Sequence, residues 1–169
     1  IEGVKIAHSL GIDAGEIPAD WNLKAAILKS KPGREKRRKP PAKEDGVFPI
    51  FHCFQEVPCN PCTSVCPVGA VKTEGDQITG LPYMVDPDAC TGCARCVAVC
   101  PGLSVTLVDY REDPDFPLVT LPYEIWRDRL KIGQKVPLTD VDGAILGYYA
   151  VEKIGSRRKY PGTLLVRLR

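Results

Sequence analysis

The 169-residue sequence lacks long apolar runs, a secretory signal pattern and clustered histidines, and each absence excludes a class of function or location. No apolar run approaches the ~20 residues that cross a bilayer, so we expect no membrane span. No basic stretch followed by a long apolar one opens the chain, so we expect no secretory signal in the part shown and a cytoplasmic location. The two histidines, His8 and His52, show no partner pattern, and we assign both to surface or packing roles.

Catalytic motifs are also missing. The sequence has no dinucleotide-binding glycine motif, no phosphate-binding loop and no nucleophile elbow. We therefore predict no catalytic residues in this chain, and whether it belongs to an enzyme stays open. Because the sequence starts at Ile1 rather than at a methionine, we expect it to be a piece of a longer polypeptide.

Eight cysteines stand out against this background. Cys90, Cys93, Cys96 and Cys100, followed by Pro101, have the spacing C-x2-C-x2-C-x3-C-P, which bacterial iron-sulfur loops use with the fourth cysteine serving the other cluster. A tight loop with cysteines three apart can place three thiolates around one four-iron cube, with backbone amides turned toward the sulfur atoms. Cys100 is then carried toward a second cube.

The same pattern occurs 34 residues earlier in the chain, as Cys59, Cys62, Cys66 and Pro67. The repeat is broken at one position, where the equivalent of Cys90 is Glu56. The nearest spare cysteine is Cys53, and we predict that it completes the first site through a stretched loop. The alternative is a [3Fe-4S] cluster, or Glu56 as an oxygen ligand.

From about Val47 to Tyr110 the chain resembles the dicluster ferredoxin family. The resemblance implies an α+β, ferredoxin-like fold with two [4Fe-4S] clusters that transfer electrons. It also implies crossed ligation, with the first cluster held by Cys53, Cys59, Cys62 and Cys100, and the second by Cys90, Cys93, Cys96 and Cys66. We expect short extended pieces between Asp76 and Asp88, around Ile78, Tyr83 and Val85, to pair between the two loops. Leu103, Val105 and Leu107 alternate as a strand that leaves the second loop.

Three other interpretations of the cysteines stay open. Structural zinc uses paired C-x2-C knuckles, but a duplicated four-cysteine run suits a tetrahedral ion poorly. Disulfides would need an oxidising compartment and would not require the repeated Cys-Pro ending. Clusters with a structural or redox-sensing role are the third. Two clusters at about two negative charges each would change the formal net charge of +2 to about −2.

The sequence divides into three predicted regions. Residues 1–46 form an N-terminal segment with a short helix from Trp21 to about Ser30 and a basic linker from Lys29 to Lys43. Residues 47–112 form the dicluster domain. Residues 113–169 form a β-rich domain, a small barrel or sheet, with strands predicted over residues 135–141, 144–154 and 163–169. Asp140 and Asp142 lie at a predicted hairpin turn, and we do not assign them to calcium.

The opening, Ile1 to Ala7, resembles the helix after the FAD-contacting segment of pyridine-nucleotide-disulfide-type flavoproteins. The resemblance implies FAD on an upstream region or on a partner subunit, with a flavoprotein as redox partner. We therefore expect an electron-transfer module of a flavin-linked oxidoreductase, of the amino-acid or amine dehydrogenase kind, in a hetero-oligomer or a longer chain. The alternatives are a free-standing ferredoxin and a structural or sensing protein. The basic linker lacks interleaved aromatics, so we expect no nucleic-acid partner.

Overall fold

The structure, a computed structural model, describes residues 46–54, 56–75, 77–125, 127–140 and 143–169. These residues form the elements β1 (Val47–Phe51), α1 (Pro61–Ser64), β2 (Val71–Thr73), β3 (Pro82–Met84), α2 (Arg95–Val99), β4 (Val105–Asp109), β5 (Leu118–Tyr123), β6 (Lys135–Thr139), β7 (Ile145–Arg157) and β8 (Tyr160–Leu168), with a 3-10 turn at Arg127–Arg129. The helix predicted from Trp21 to Ser30, the basic linker and the opening segment lie outside the described residues.

The cysteine repeat is also a repeat of secondary structure. Each half runs strand, cysteine loop, helix, strand, as β1-α1-β2 and then β3-α2-β4. Helix α2 begins 34 residues after α1, and β4 begins 34 residues after β2. The strands exchange partners between halves, because β1 pairs with β4 and β2 pairs with β3, both antiparallel. Neither half therefore completes its strand pairing without the other.

The strand pair between the two loops begins earlier than predicted. Val71–Thr73 pairs with Pro82–Met84, so of the three predicted positions only Tyr83 lies in a strand. Ile78 lies in the connecting turn and Val85 follows β3. The pairing starts directly after the first cysteine loop, where the Val85 amide donates to the Ala70 carbonyl at 2.9 Å. The strand predicted to leave the second loop is β4, and it starts at Val105 because Leu103 has a left-handed φ of 50°.

One open antiparallel sheet joins the region that carries the eight cysteines, here called the cluster region, to the C-terminal strands. Its strand order is β1-β4-β5-β8-β7-β6, with β1 and β6 at the edges. The three predicted C-terminal strands are confirmed as β6, β7 and β8, although β7 and β8 extend further than predicted. Pairing of β4 with β5, as in Val108 opposite Val119, carries the sheet across the predicted boundary at 112–113. The C-terminal strands thus extend the existing sheet instead of closing into a barrel.

Strand β8 separates two hydrophobic cores. Leu165 packs into the core that holds the buried cysteines and Val97 of α2. Its neighbours Val166 and Leu168 pack with Val151 of β7 in the second core. Side chains alternate between the two faces along a strand, which allows one strand to serve both cores. Among the described residues, no helix has the length and apolar character that a bilayer crossing requires.

Because both cores share β8, we predict that the cluster region and the C-terminal strands unfold together. Val151 is 1% exposed, and Val151→Ala removes buried methyl groups and leaves a cavity, which costs about 2 kcal/mol of unfolding free energy. Guanidinium denaturation should show this loss both in far-UV circular dichroism and in the visible absorbance of the metal centres. Ile145→Ala is the matched control, because Ile145 is 59% exposed. Separate transitions for the two signals would contradict the prediction.

Candidate metal centre

The eight cysteines lie between residues 53 and 100, and none of them forms a disulfide. Two sit in the short helices, Cys62 in α1 and Cys96 in α2, and both are buried. Cys100 directly follows α2 and is also buried. The other five are partly exposed: Cys53, Cys59, Cys66, Cys90 and Cys93.

Four of the thiols form one electrostatic group. Burial raises the pKa of Cys62 to about 12, with repulsion from the neighbouring sulfur atoms of Cys53 and Cys100 as a further cause. Burial likewise raises the pKa of Cys53, with added repulsion from Cys100 and Cys59. A cavity on this side is lined by Cys53, Cys59 and Cys100 together with mostly apolar residues such as Phe54 and Leu81. The first group is therefore Cys53, Cys59, Cys62 and Cys100.

The other four thiols form a second group. Burial raises the pKa of Cys96 to about 12, with repulsion from Cys93 and Cys90. Burial also raises the pKa of Cys90, where Cys93 and Cys66 repel the thiolate. A small apolar cavity is lined by all four of these residues: Cys66, Cys90, Cys93 and Cys96. Each group takes one cysteine from the other half of the repeat, Cys100 in the first and Cys66 in the second.

The two groups are adjacent. Cys96 of the second group also feels the charge of Cys62 in the first. These two residues occupy equivalent positions in the repeat, and the helices that carry them, α1 and α2, pack against each other. Cys62 and Cys96 therefore lie at the inner side of their groups, while the partly exposed cysteines lie toward the surface.

Backbone amides point at several of the sulfur atoms. The Ser104 amide donates to Sγ of Cys100 at 3.2 Å, and the Gly92 amide donates to Cys90. Gly92 has a φ of +71°, and a side chain there would meet Arg111 at 2.9 Å and Val47 at 3.2 Å. Glycine is thus required for the turn that aims its amide at the sulfur. Such hydrogen bonds favour the thiolate, but burial outweighs them in Cys62, Cys90 and Cys96.

The groups fit iron-sulfur clusters better than single ions. Burial raises the pKa of Cys62 and of Cys96 to about 12, and a bound cationic centre would stabilise their thiolate forms. Among the described residues, no three His, Cys, Asp or Glu side chains converge closely enough to hold one metal ion. A zinc ion needs ligands at about 2.3 Å from one point. Here the sulfur atoms are close enough to affect each other's pKa, but they do not surround one point. This arrangement suits a cluster in which each cysteine binds a different iron.

The structure also locates the other residues named from the sequence. Glu56, the alternative ligand, is exposed, and it is absent from the described lining of the cavity at Cys53. His52 lines that cavity, and its Nε2 is 3.1 Å from the Thr106 hydroxyl, which agrees with a packing role. Asp140 lies at the predicted turn, where its side chain accepts from the Ala144 amide at 2.9 Å. Asp142 lies outside the described residues.

Two arginines near the second group were missed by the sequence analysis. The Arg157 guanidinium, from β7, donates to the backbone carbonyl of Cys93. Arg111 is held by Asp109, with Nε to Oδ1 at 2.8 Å, and it lies near enough to Cys90 for each to affect the other's ionisation. The hydrogen bond from Arg111 holds the pKa of the Asp109 carboxyl below its usual range. Cysteine spacing carries no information about either arginine, and the three consecutive basic residues 157–159 are the one sequence feature that could have drawn attention to Arg157.

Comparison with known proteins also indicates an iron-sulfur domain in the part of the chain that contains the cysteines. Residues 52–102 match the family model of the 4Fe-4S dicluster domain, and this segment contains all eight cysteines. The chain is 38% identical over 65 residues to a selenate reductase subunit of Mesobacillus selenatarsenatis, which covers 35% of this chain and 21% of that protein.

Two further relatives extend the comparison. The chain is 40% identical over 52 residues to ferredoxin 7Fe of Hydrogenibacillus schlegelii, covering 31% of this chain and 55% of the relative. It is 47% identical over 49 residues to hydrogenase-2 operon protein HybA of Escherichia coli O157:H7, which covers 29% of this chain and 14% of that protein. The chain thus spans well under two thirds of these relatives, and no solved structure matches it. Residues 52–102 are thus similar to the 4Fe-4S domains of ferredoxins and iron-sulfur subunits, which points to iron-sulfur electron transfer.

Proposed function

We propose that the two thiol groups hold two [4Fe-4S] clusters in crossed ligation. Cys53, Cys59, Cys62 and Cys100 ligate the first cluster, and Cys66, Cys90, Cys93 and Cys96 ligate the second. The observation that carries this proposal is the electrostatic grouping, in which Cys100 affects Cys53 and Cys62 while Cys66 affects Cys90. Eight thiolates fill two cubes with none left over.

The clusters pass single electrons from one to the other. Cys62 and Cys96 are buried between the two groups, and Cys62 affects the ionisation of Cys96, which supports a short route between the cubes. Each group also includes partly exposed cysteines, so each cluster can exchange electrons with a partner at the surface. One cluster then accepts electrons and the other delivers them. A purely structural cluster would not need a second one beside it.

We further propose that the chain is the iron-sulfur module of a larger oxidoreductase in the cytoplasm. Three of the relatives carry names of reductase or redox-complex subunits: a subunit of selenate reductase, a subunit of a ferredoxin:NAD(+) oxidoreductase complex, and an iron-sulfur subunit of a dimethyl sulfoxide reductase. Eight cysteines without a disulfide suit a reducing compartment. A free-standing ferredoxin is the second candidate, because two relatives are named as ferredoxins.

The crossed ligation predicts a selective loss of clusters in cysteine variants. The intact protein, prepared anaerobically, should contain about eight irons per chain. Cys53→Ser should remove or shrink the first cluster, leaving about four to seven irons, while the electron paramagnetic resonance signal of the second cluster persists. Cys90→Ser is the matched variant, because Cys90 is the first cysteine of the second loop as Cys53 is of the first, and it should spare the first cluster instead.

A Cys53→Ser variant with full iron content and an unchanged spectrum would exclude Cys53 as a ligand. Glu56→Gln then tests whether Glu56 is the ligand instead. If it is, this variant should lose iron from the first cluster, because the carboxylate is replaced by a neutral amide. Zinc in place of iron in the anaerobic preparation would exclude the clusters altogether.

Electron transfer predicts reversible redox chemistry. Stepwise reduction at an electrode should add two electrons per chain, one per cluster, and reoxidation should restore the original visible spectrum over repeated cycles. With both clusters reduced, their unpaired spins should interact and broaden the resonance signal. Cys90→Ser serves as the control, because a single remaining cluster should take up one electron and give a signal without this broadening. Irreversible bleaching during the first reduction would indicate a structural role.

We propose that the redox partner is a flavoprotein, in an assembly of the amino-acid or amine dehydrogenase kind. This proposal depends on the resemblance of the opening segment to the FAD-contacting helix. The intact assembly, purified under mild conditions from its native source, should therefore contain FAD together with iron. Release by acid and chromatography with fluorescence detection measures the FAD content. An assembly that retains its iron but contains no flavin would favour the free-standing ferredoxin.

A further inference from the structure

We propose that a basic groove beside the second thiol group is the docking surface for an acidic protein that exchanges electrons with the second cluster. The groove has a volume of about 480 Å³ and is lined by Cys66, Arg95, Arg157, Arg158, Lys159 and Tyr160, among others. This inference depends on the proposed function, because it makes the partly exposed side of the second cluster the point where electrons enter or leave.

The charges of the groove come from two separate parts of the chain. Arg95 is the first residue of α2, within the second cysteine loop, while Arg157, Arg158 and Lys159 belong to the hairpin of β7 and β8. Among the described residues that line the groove, none carries a carboxylate. Four cations therefore line the same groove as Cys66. Grouping like charges at a surface is unfavourable unless anions lie nearby, and the anionic cluster and a carboxylate-bearing partner both provide them.

The hairpin turn presents two of these cations to solvent. Arg157 pairs with Tyr160, so Arg158 and Lys159 are the two residues of the turn, and both are exposed. Neither has a positive φ, so this turn does not require glycine or asparagine, and long charged side chains fit there without backbone strain. Both side chains are therefore available to a partner at the groove.

Arg157 connects the groove to the cluster loop. Its guanidinium lines the groove and also donates to the carbonyl of Cys93, one of the proposed ligands of the second cluster. A partner's carboxylate at the groove would therefore lie against a residue that already touches the loop around the second cluster.

A protein surface fits the groove better than other anions. Val65, Pro67 and Tyr160 lie between the charged side chains, and a protein interface combines apolar contacts with charged ones in this way. Tyr160 is the one aromatic residue among the described lining residues, whereas single-stranded nucleic acids need several for stacking. The cavity at the first thiol group differs, because its described lining has no lysine or arginine. The small cavity lined by the four cysteines of the second group also has no lysine or arginine among its described residues, so of these three cavities only the groove presents a surface that attracts an acidic partner.

The test uses the full chain with its clusters and two double variants with the same change in charge. Arg158→Glu with Lys159→Glu replaces two positive charges of the groove with negative ones. Lys131→Glu with Lys135→Glu is the control, on exposed residues outside the groove. The reduced protein is mixed with ferricyanide, an anion that takes one electron from the protein and becomes ferrocyanide. A glutamate oligomer of about ten residues is then added as a model of an acidic surface, with fluorescence anisotropy of a labelled oligomer to measure binding.

We expect the groove variant to slow ferricyanide reduction by about tenfold or more at low salt, and the control to change it by less than about twofold. The wild-type rate should fall as salt rises, whereas the groove variant should lose most of that dependence. The glutamate oligomer should bind the wild type and the control and slow their reaction, but it should bind the groove variant at least about tenfold more weakly. Iron content and resonance spectra of all three proteins should be identical.

Equal effects of the two variants would overturn the proposal while the proposed function stands, because the clusters would still be reduced. Tighter binding of a single-stranded oligonucleotide than of the glutamate oligomer, lost in the groove variant, would overturn it in favour of a nucleic-acid surface. Loss of iron in the wild type would instead overturn the proposed function itself. A groove variant that fails to fold is replaced by Arg158→Gln with Lys159→Gln, which should give a smaller loss in the same direction.

Discussion

Burying several thiols side by side is the constraint on which the rest of this structure depends. In water a cysteine ionises readily enough to bind metal, but burial and neighbouring sulfur atoms raise the pKa of Cys62 and Cys96 to about 12. A metal centre bound there, such as the proposed clusters, would stabilise the thiolates by replacing their protons. The surrounding elements are short, with helices of four and five residues and strands of three in the linking pair. Pieces of this length do not fold alone, so the proposed clusters would couple their own assembly to folding.

The exchange of strands and the exchange of cysteines are two results of one duplication. Strand β1 pairs with β4 and β2 with β3, so each half of the repeat contributes to both pairs. In the same way Cys66 joins the thiols of the second half, and Cys100 joins those of the first. Each helix begins beside one group, and the chain that leaves it delivers a cysteine to the other. This arrangement brings α1 and α2 into contact and makes Cys62 and Cys96 neighbours, which shortens the route for an electron.

The sequence carries more information about the cysteine groups than about the fold around them. Cysteine spacing is set by the size of a cluster, so even Cys53, which departs from the repeat, could be assigned to a group by counting. The strand pair was placed too late, because Val71 follows the first loop so closely that periodicity gave no strand signal there. The joining of the C-terminal strands to the cluster region depends on the pairing of β4 with β5 and β5 with β8, which is a long-range contact that local patterns do not record. Arg157 was missed for the same reason, since it reaches Cys93 from 64 residues away.

The extension of the sheet gives the two thiol groups different surroundings. Strand β8 packs Leu165 against the core of buried cysteines, and its hairpin with β7 places Arg157, Arg158 and Lys159 beside Cys66. Arg111 adds another cation near Cys90. Reduction would add a negative charge to a cluster held by the second group, and these nearby cations would stabilise that charge. In the proposed complex, a partner's carboxylates would offset these cations and weaken that stabilisation. Docking and the release of the electron would then be linked through the side chains of the groove.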